Sequence, residues 1–244
     1  MLLRVVIFYG LTFIFTILLA LIQQISGIGF DKITLPQLGP GIAALTMLIF
    51  FKRDRIKINL SFKGVGILKY SIATLLPLMV SGIVFLIYSQ FIGKANASID
   101  SPLVFLIIFG GMFIGAFGEE FGWRGYLQKL LEQKQNALVS AILIGLLWGL
   151  WHIGNYQYGL FYLVFFLLST IGSSVFLVWL LRKTNFNVLL AALFHISLNI
   201  GYYVFFRDVL SDPRFMCVNG VTWIIISIVT IVIGQKSLWN KESV

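Results

Sequence analysis

Apolar runs of about twenty residues recur from one end of this 244-residue chain to the other, and no other feature constrains its fold as strongly. At about 1.5 Å of rise per residue, a helix of that length crosses a hydrocarbon core of about 30 Å. In lipid every backbone N–H and C=O must find its partner within the protein, so each run is read as a helix. Eight spans are predicted, at roughly 4–26, 36–51, 70–93, 102–133, 136–155, 160–181, 187–206 and 217–235. The expected fold is all-α: a polytopic membrane bundle of about eight transmembrane helices, forming one membrane-embedded domain over 1–244. Charged residues make up only 11% of the chain, against about a quarter in soluble domains. The first run, beginning MLLRVVIFYG, is too long for a signal peptide and lacks a small-x-small cleavage site, so it reads as a retained helix.

The net charge of +9 raises the question of a nucleic-acid partner. With the N-terminus inside, the inner segments hold Arg4, Lys52, Arg53, Arg55, Lys57, Lys63, Lys69, Arg124, Lys129, Lys134, Arg182, Lys183, Lys236 and Lys241. The outer loops hold Lys32, Lys94, Arg207 and Arg214. Such asymmetry is the positive-inside pattern, and it argues for a lipid bilayer as the partner and against nucleic acid. It predicts an integral protein of a bacterial plasma membrane with both termini cytoplasmic. The KRDRIKIN run at 52–59 reads as an orientation signal. Cys217 is the single cysteine, so neither an intrachain disulfide nor a cysteine metal cluster is available. The NAS sequon at 96–98 carries little weight.

Ionisable groups inside spans cost about 2.5–3.5 kcal/mol each even on lenient scales, and so point to function. Here they are Glu119, Glu120 and Arg124 in the fourth span, His152 in the fifth and His195 in the seventh, with Asn199 one turn beyond His195. At about 100° per residue, Arg124 lies roughly 40° from Glu120 but roughly 140° from Glu119. Glu120 is therefore expected to pair with Arg124 across one turn. Glu119 has no cation on its own helix and suits a general base.

Gly111, Gly115, Gly118 and Gly122 form a small-residue stripe beside Glu119, and Ala141, Gly145 and Gly149 form another that His152 continues. Such stripes let helices approach closely, and the expectation is that the two stripes bring Glu119 near His152. A hairpin turning at 134–136 puts both residues roughly 24 Å from the turn. His195 lies about 15–20 Å into its own span, at a compatible height. The pocket so formed is expected to open toward the inner leaflet. Trp148, Trp151 and Phe194 read as packing around it, with Trp148 fixing the His152 rotamer.

EEFGWR (119–124), WGLWH (148–152) and HISLN (195–199) occur in this order on three apolar helices. The chain thereby resembles the CPBP intramembrane proteases, a family that includes type II CAAX prenyl endopeptidases (Abi) and bacteriocin-processing or immunity proteins. The family's patterns are EExxxR, FxxxH and HxxxN or HxxxD, and the resemblance covers a motif core of about 102–200. The chain departs from them at Trp148, where phenylalanine is usual.

The resemblance implies that Glu119 and His152 activate a water, that Glu120 and Arg124 support them, and that His195 and Asn199 hold an oxyanion. The implied function is an intramembrane endopeptidase that hydrolyses a peptide bond of a membrane-associated peptide or protein substrate. Family members are often called metalloproteases. Glu119, His152 and His195 with a water would make a zinc set, but HExxH is absent and the reaction so read requires no cofactor. One alternative is a non-catalytic bacteriocin immunity or membrane scaffold protein. Another, a proton-coupled carrier, lacks the repeat symmetry such carriers show. Oligomeric state leaves no sign in the sequence.

Overall fold

The computed structural model describes residues 1–29, 32–52 and 56–239. These residues form nine α-helices: α1 Leu2–Ser26, α2 Gly39–Phe50, α3 Ile67–Phe91, α4 Pro102–Glu120, α5 Gln128–Glu132, α6 Ala137–Trp151, α7 Gly159–Leu181, α8 Val188–Phe205 and α9 Pro213–Trp239. A 3₁₀ turn, Leu35–Leu38, leads into α2, and a second, Ile153–Tyr158, joins α6 to α7. A π-helical stretch, Phe121–Leu127, fuses α4 to α5, so the chain runs helically from Pro102 to Glu132. π turns inside α-helices cluster at functional sites, and this one begins directly after the two glutamates.

The fold is an all-α membrane bundle, and the apolar runs and the observed helical segments coincide to within a few residues. Six helices are long and apolar enough to cross a membrane, while the segments Leu35–Phe50 and Ala137–Trp151 are apolar but shorter. The difference matters for the site. Fifteen residues of α6 rise only about 22 Å, well short of a core of about 30 Å. Side chains such as Leu2, Ile25, Phe91 and Leu160 project outward, as lipid-facing positions should.

The predicted partners of the glycine stripes need correcting. A Cβ on Gly111 would meet Lys32 and Ile33; on Gly115, Gln37; on Gly118, Leu38; and on Gly122, Pro40. The α4 stripe thus receives the 3₁₀ turn and the start of α2. The α6 stripe receives α7, since Gly145 faces Thr170 and Ile171, and Gly149 faces Leu167 and Thr170. A small-residue stripe shows that a backbone comes close, but not which backbone. Here α2 and α7 fill the two grooves. The lower ends of the α4–α6 hairpin pack through α5 and the π stretch.

The loops fall at two ends. At one, Asn59 donates through Nδ2 to the Thr184 carbonyl (2.7 Å), and Asn187 caps α8 by accepting from Leu190 N–H (2.9 Å). Lys69 Nζ donates to the Leu180 and Arg182 carbonyls at the foot of α7 (2.9 and 2.5 Å). These bonds fix where α8 begins, and with it the depth of His195, eight residues on. We call this the basic end, since 51–66, 133–136 and 182–187 meet there. At the other end, Ser98 N–H reaches the Val204 carbonyl (2.9 Å), Asn96 reaches Asp208, and Tyr162 Oη donates to the Leu210 carbonyl (3.0 Å).

Candidate active site

Glu119 and Glu120 end α4 and are both fully buried, yet they face different surroundings. Glu120 Oε1 accepts from Arg124 (3.0 Å), the pair expected from the one-turn spacing. It also accepts from His195 Nδ1 (2.8 Å), a contact the spacing alone does not reveal. A second guanidinium nitrogen of Arg124 donates to Ser174 Oγ on α7 (2.8 Å). Glu120 is thus the charge-paired member of the two and ties three helices together.

Glu119 makes no salt bridge among the described residues and is held by neutral donors. Gln37 Nε2 donates to its Oε1 (2.9 Å) and Trp148 Nε1 to its Oε2 (2.7 Å). Neither donor follows from the motif spacings. Gln37 stands in an otherwise apolar LPQL turn, and that isolated polar side chain is the one signal of it in the sequence. Trp148, expected as packing, is a donor as well.

In the structure Trp148 is the hub of the site. The Arg124 guanidinium lies over its ring at 4.8 Å, and the His195 and His152 rings meet it edge-on at 5.3 and 5.8 Å. Phenylalanine, usual at this position in the family pattern, could make the ring contacts but could not donate to Glu119.

His152 terminates α6, where the helix gives way to the 3₁₀ turn. Its Nδ1 is 2.8 Å from the Trp148 carbonyl, which can only accept, so Nδ1 carries the proton. Nε2 is then left as an acceptor. For His195, the carboxylate at Nδ1 likewise fixes that proton, and Nε2 donates when the ring is an imidazolium. Trp151 and Phe166 wall the His152 ring at 4.8 and 5.2 Å.

A cavity of about 250 Å³ is lined by His152, His195, Asn199, Gln37 and Trp148 together with polar groups of α7 (Ser169, Thr170, Ser173). Glu119 lies under its floor, behind Gln37 and Trp148. A second cavity of about 290 Å³ shares Gln37, Asn199, Tyr202 and Leu210 with the first and continues to Lys32 and Arg207. The opening therefore lies at the end opposite the basic loops. The expected opening is toward the hairpin turn at 134–136, and the lining residues lie at the opposite end. The physical reason is that α2 and α6 are the two short helices, and Gln37 and His152 sit where they stop short at that same end.

Toward the basic end the helices close over buried charge. Arg182 pairs with Glu132 (2.8 Å), Gln128 bonds Glu132, and Lys129 Nζ donates to the Lys57 carbonyl (2.5 Å) and to Asn185 Oδ1 (3.0 Å).

Among the described residues no three His, Cys, Asp or Glu side chains converge as a metal-ligand set. Glu119 turns both oxygens to Gln37 and Trp148, which stand between it and the two histidine rings. The arrangement does not fit the zinc set, and no step is derived through a metal.

Residues 101–201 match the family described as type II CAAX prenyl endopeptidase, Rce1-like. Over 244 residues the chain is 27% identical to Lysostaphin resistance protein A of Staphylococcus haemolyticus (strain JCSC1435), covering 95% of this chain and 65% of that one. Against the protein of the same name from Staphylococcus aureus (strain Newman), identity is 26% over 234 residues, covering 91% of this chain and 54% of the relative. The chain thus spans less than two thirds of the length of these relatives.

Proposed function

We propose that this chain, whose residues 101–201 match the Rce1-like family of type II CAAX prenyl endopeptidases, is an intramembrane endopeptidase that uses an activated water. The observation that carries the reading is the convergence of His152, His195 and Asn199 on one cavity, with an unpaired carboxylate, Glu119, directly beneath it. In the bundle of a membrane protein such a carboxylate is expensive unless it is used.

The chemistry follows from the hydrogen-bond directions. A water donates to His152 Nε2, which orients it. As the water oxygen attacks the scissile carbonyl carbon, its proton passes to Glu119, which lies just beneath the cavity. The carbonyl becomes a tetrahedral oxyanion, which accepts from Asn199 Nδ2 and from protonated His195 Nε2. Collapse breaks the C–N bond, and Glu119 returns its proton to the departing amine. Glu120 and Arg124 hold His195 in place. Gln37 and Trp148 hold Glu119, and one of them must give way for the water to reach it.

The test is cleavage of a fluorogenic peptide by the purified chain in detergent. Glu119→Ala and His152→Ala should each abolish it while the protein still purifies as a folded species. Activity surviving both changes would defeat the proposal.

A second reading, a non-catalytic resistance or immunity protein, draws on two observations. Glu119 is sealed from the cavity by two side chains, and the relatives carry the name Lysostaphin resistance protein A. Protection of cells that persists in Glu119→Gln and His195→Ala variants would favour it.

A further inference from the structure

The position of the cavity mouth, combined with the distribution of charge, determines which side of the membrane the site serves. At the mouth end, the described loop residues include four bases (Lys32, Lys94, Arg207, Arg214) and three acids (Asp100, Asp208, Asp212). Several of these cancel pairwise: Arg207 bonds Asp100 and Arg214 bonds Asp212, both at 2.7 Å. The basic end differs. Arg124, Lys129 and Arg182 are buried inside the bundle and leave the loop count, yet among the described residues eight bases (Arg4, Lys52, Lys57, Lys63, Lys69, Lys134, Lys183 and Lys236) still lie toward that end. Leaving out the buried cations reduces the excess but keeps the bias that orients membrane proteins.

The interior is asymmetric in the same sense. Toward the basic end, Arg182, Glu132, Gln128 and Lys129 close the bundle, and no path from the cavity runs there through its lining residues. Toward the mouth, the two cavities are adjacent and share Gln37, Asn199, Tyr202 and Leu210 in their linings. The 3₁₀ turn after His152 contributes Asn155 and Tyr158 to the cavity lining, and Ile153, Tyr156 and Tyr158 on it are exposed. Exposed tyrosines with an isoleucine suit the headgroup level of a bilayer.

We propose that the site is entered from the non-cytoplasmic face, so that its substrate is an outward-facing or exported polypeptide segment lying at the outer leaflet, and not a cytoplasmic chain terminus. The orientation stands on charge and cavity geometry alone. The word substrate rests on the hydrolase reading, and the experiment separates the two.

In a Cys217→Ser background, Gly154→Cys places a thiol at the mouth, where an added Cβ meets nothing within 4 Å. Lys134→Cys places one at the exposed hairpin turn of the basic end. A membrane-impermeant maleimide applied to intact cells should label Gly154→Cys as fully as it does after permeabilisation. Lys134→Cys should label only after permeabilisation. The reverse pattern, or equal labelling of both in intact cells, overturns the orientation.

A membrane-impermeant fluorogenic peptide is then given to right-side-out and to inverted vesicles. Cleavage confined to right-side-out vesicles supports outward substrates, and cleavage confined to inverted vesicles overturns them. Absence of cleavage in both, with detergent-solubilised protein also inactive, removes the hydrolase reading, while the orientation still stands or falls by the maleimide labelling.

Discussion

The two halves of the bundle bury ionisable groups on different terms. In the half toward the basic end, Glu132, Arg182 and Lys129 are each held by charged or carbonyl partners, and none of them lines either of the two cavities described above. In the half toward the mouth, Glu119 has only neutral donors, and His152 and His195 each use one ring nitrogen and turn toward an open cavity. A buried charge set against an opposite charge is offset where it stands, whereas a buried carboxylate held only by neutral donors keeps its charge for a ligand or a proton. Glu120 marks the boundary, since it accepts from Arg124 on one side and from His195 on the other.

The contrast is broken most severely from the closed half. Arg182→Ala leaves Glu132 buried with its strongest partner gone, and removing one member of such a pair costs about 3–5 kcal/mol. Thermal unfolding in detergent should show a large drop, with cleavage lost only as folded protein is lost. An unchanged unfolding temperature would mean that the pair is not the closure described above.

A smaller effect is expected at the cavity floor. Trp148→Phe keeps the ring contacts and deletes the donor to Glu119, and a hydrogen bond to a charged group is worth about 1.5–3 kcal/mol. If Trp148 positions Glu119, kcat should fall roughly tenfold to a hundredfold with KM little changed. Gln37→Leu should act in the same way from the other oxygen. A rise in KM with kcat intact would instead make both residues substrate contacts.

The smallest effect belongs to the mouth loops. Asp212 accepts from Tyr88 Oη (2.6 Å) and pairs with Arg214, and the Arg214 hydrogen bonds hold its carboxyl down at about 2, from an ordinary 3.8. A carboxylate depressed in the folded state contributes stability above its unfolded value, and that contribution is lost as pH falls through the folded one. The wild type should therefore lose a small increment of stability between about pH 4 and pH 2. Asp212→Asn should lack that increment at all pH values, which parallel melts would reveal.

The parts of this architecture that follow from helical periodicity are legible in the sequence. The apolar runs locate the spans, and the one-turn spacing of Glu120 and Arg124 predicts a bond that the structure contains. Equal counts of residues on either side of a hairpin put Glu119 and His152 near one height, and Trp148 joins their surroundings. Features that depend on which helices become neighbours are not legible. The stripe of Gly111, Gly115, Gly118 and Gly122 reads identically whether it receives α6 or, as it does, the turn carrying Gln37. The direction of the mouth depends on which ends of the short segments fall short, which a hydropathy pattern does not record. The indole of Trp148 scores as apolar in any such pattern, yet its single N–H is what holds Glu119.

The most direct measurement is mass spectrometry of a reaction run in heavy-oxygen water by the purified chain, quenched during turnover. Direct attack by water predicts one heavy oxygen in the new carboxyl terminus of the product and an unmodified protein mass throughout. A covalent acyl adduct on the protein, or intact peptide after prolonged incubation with folded protein, would contradict the account.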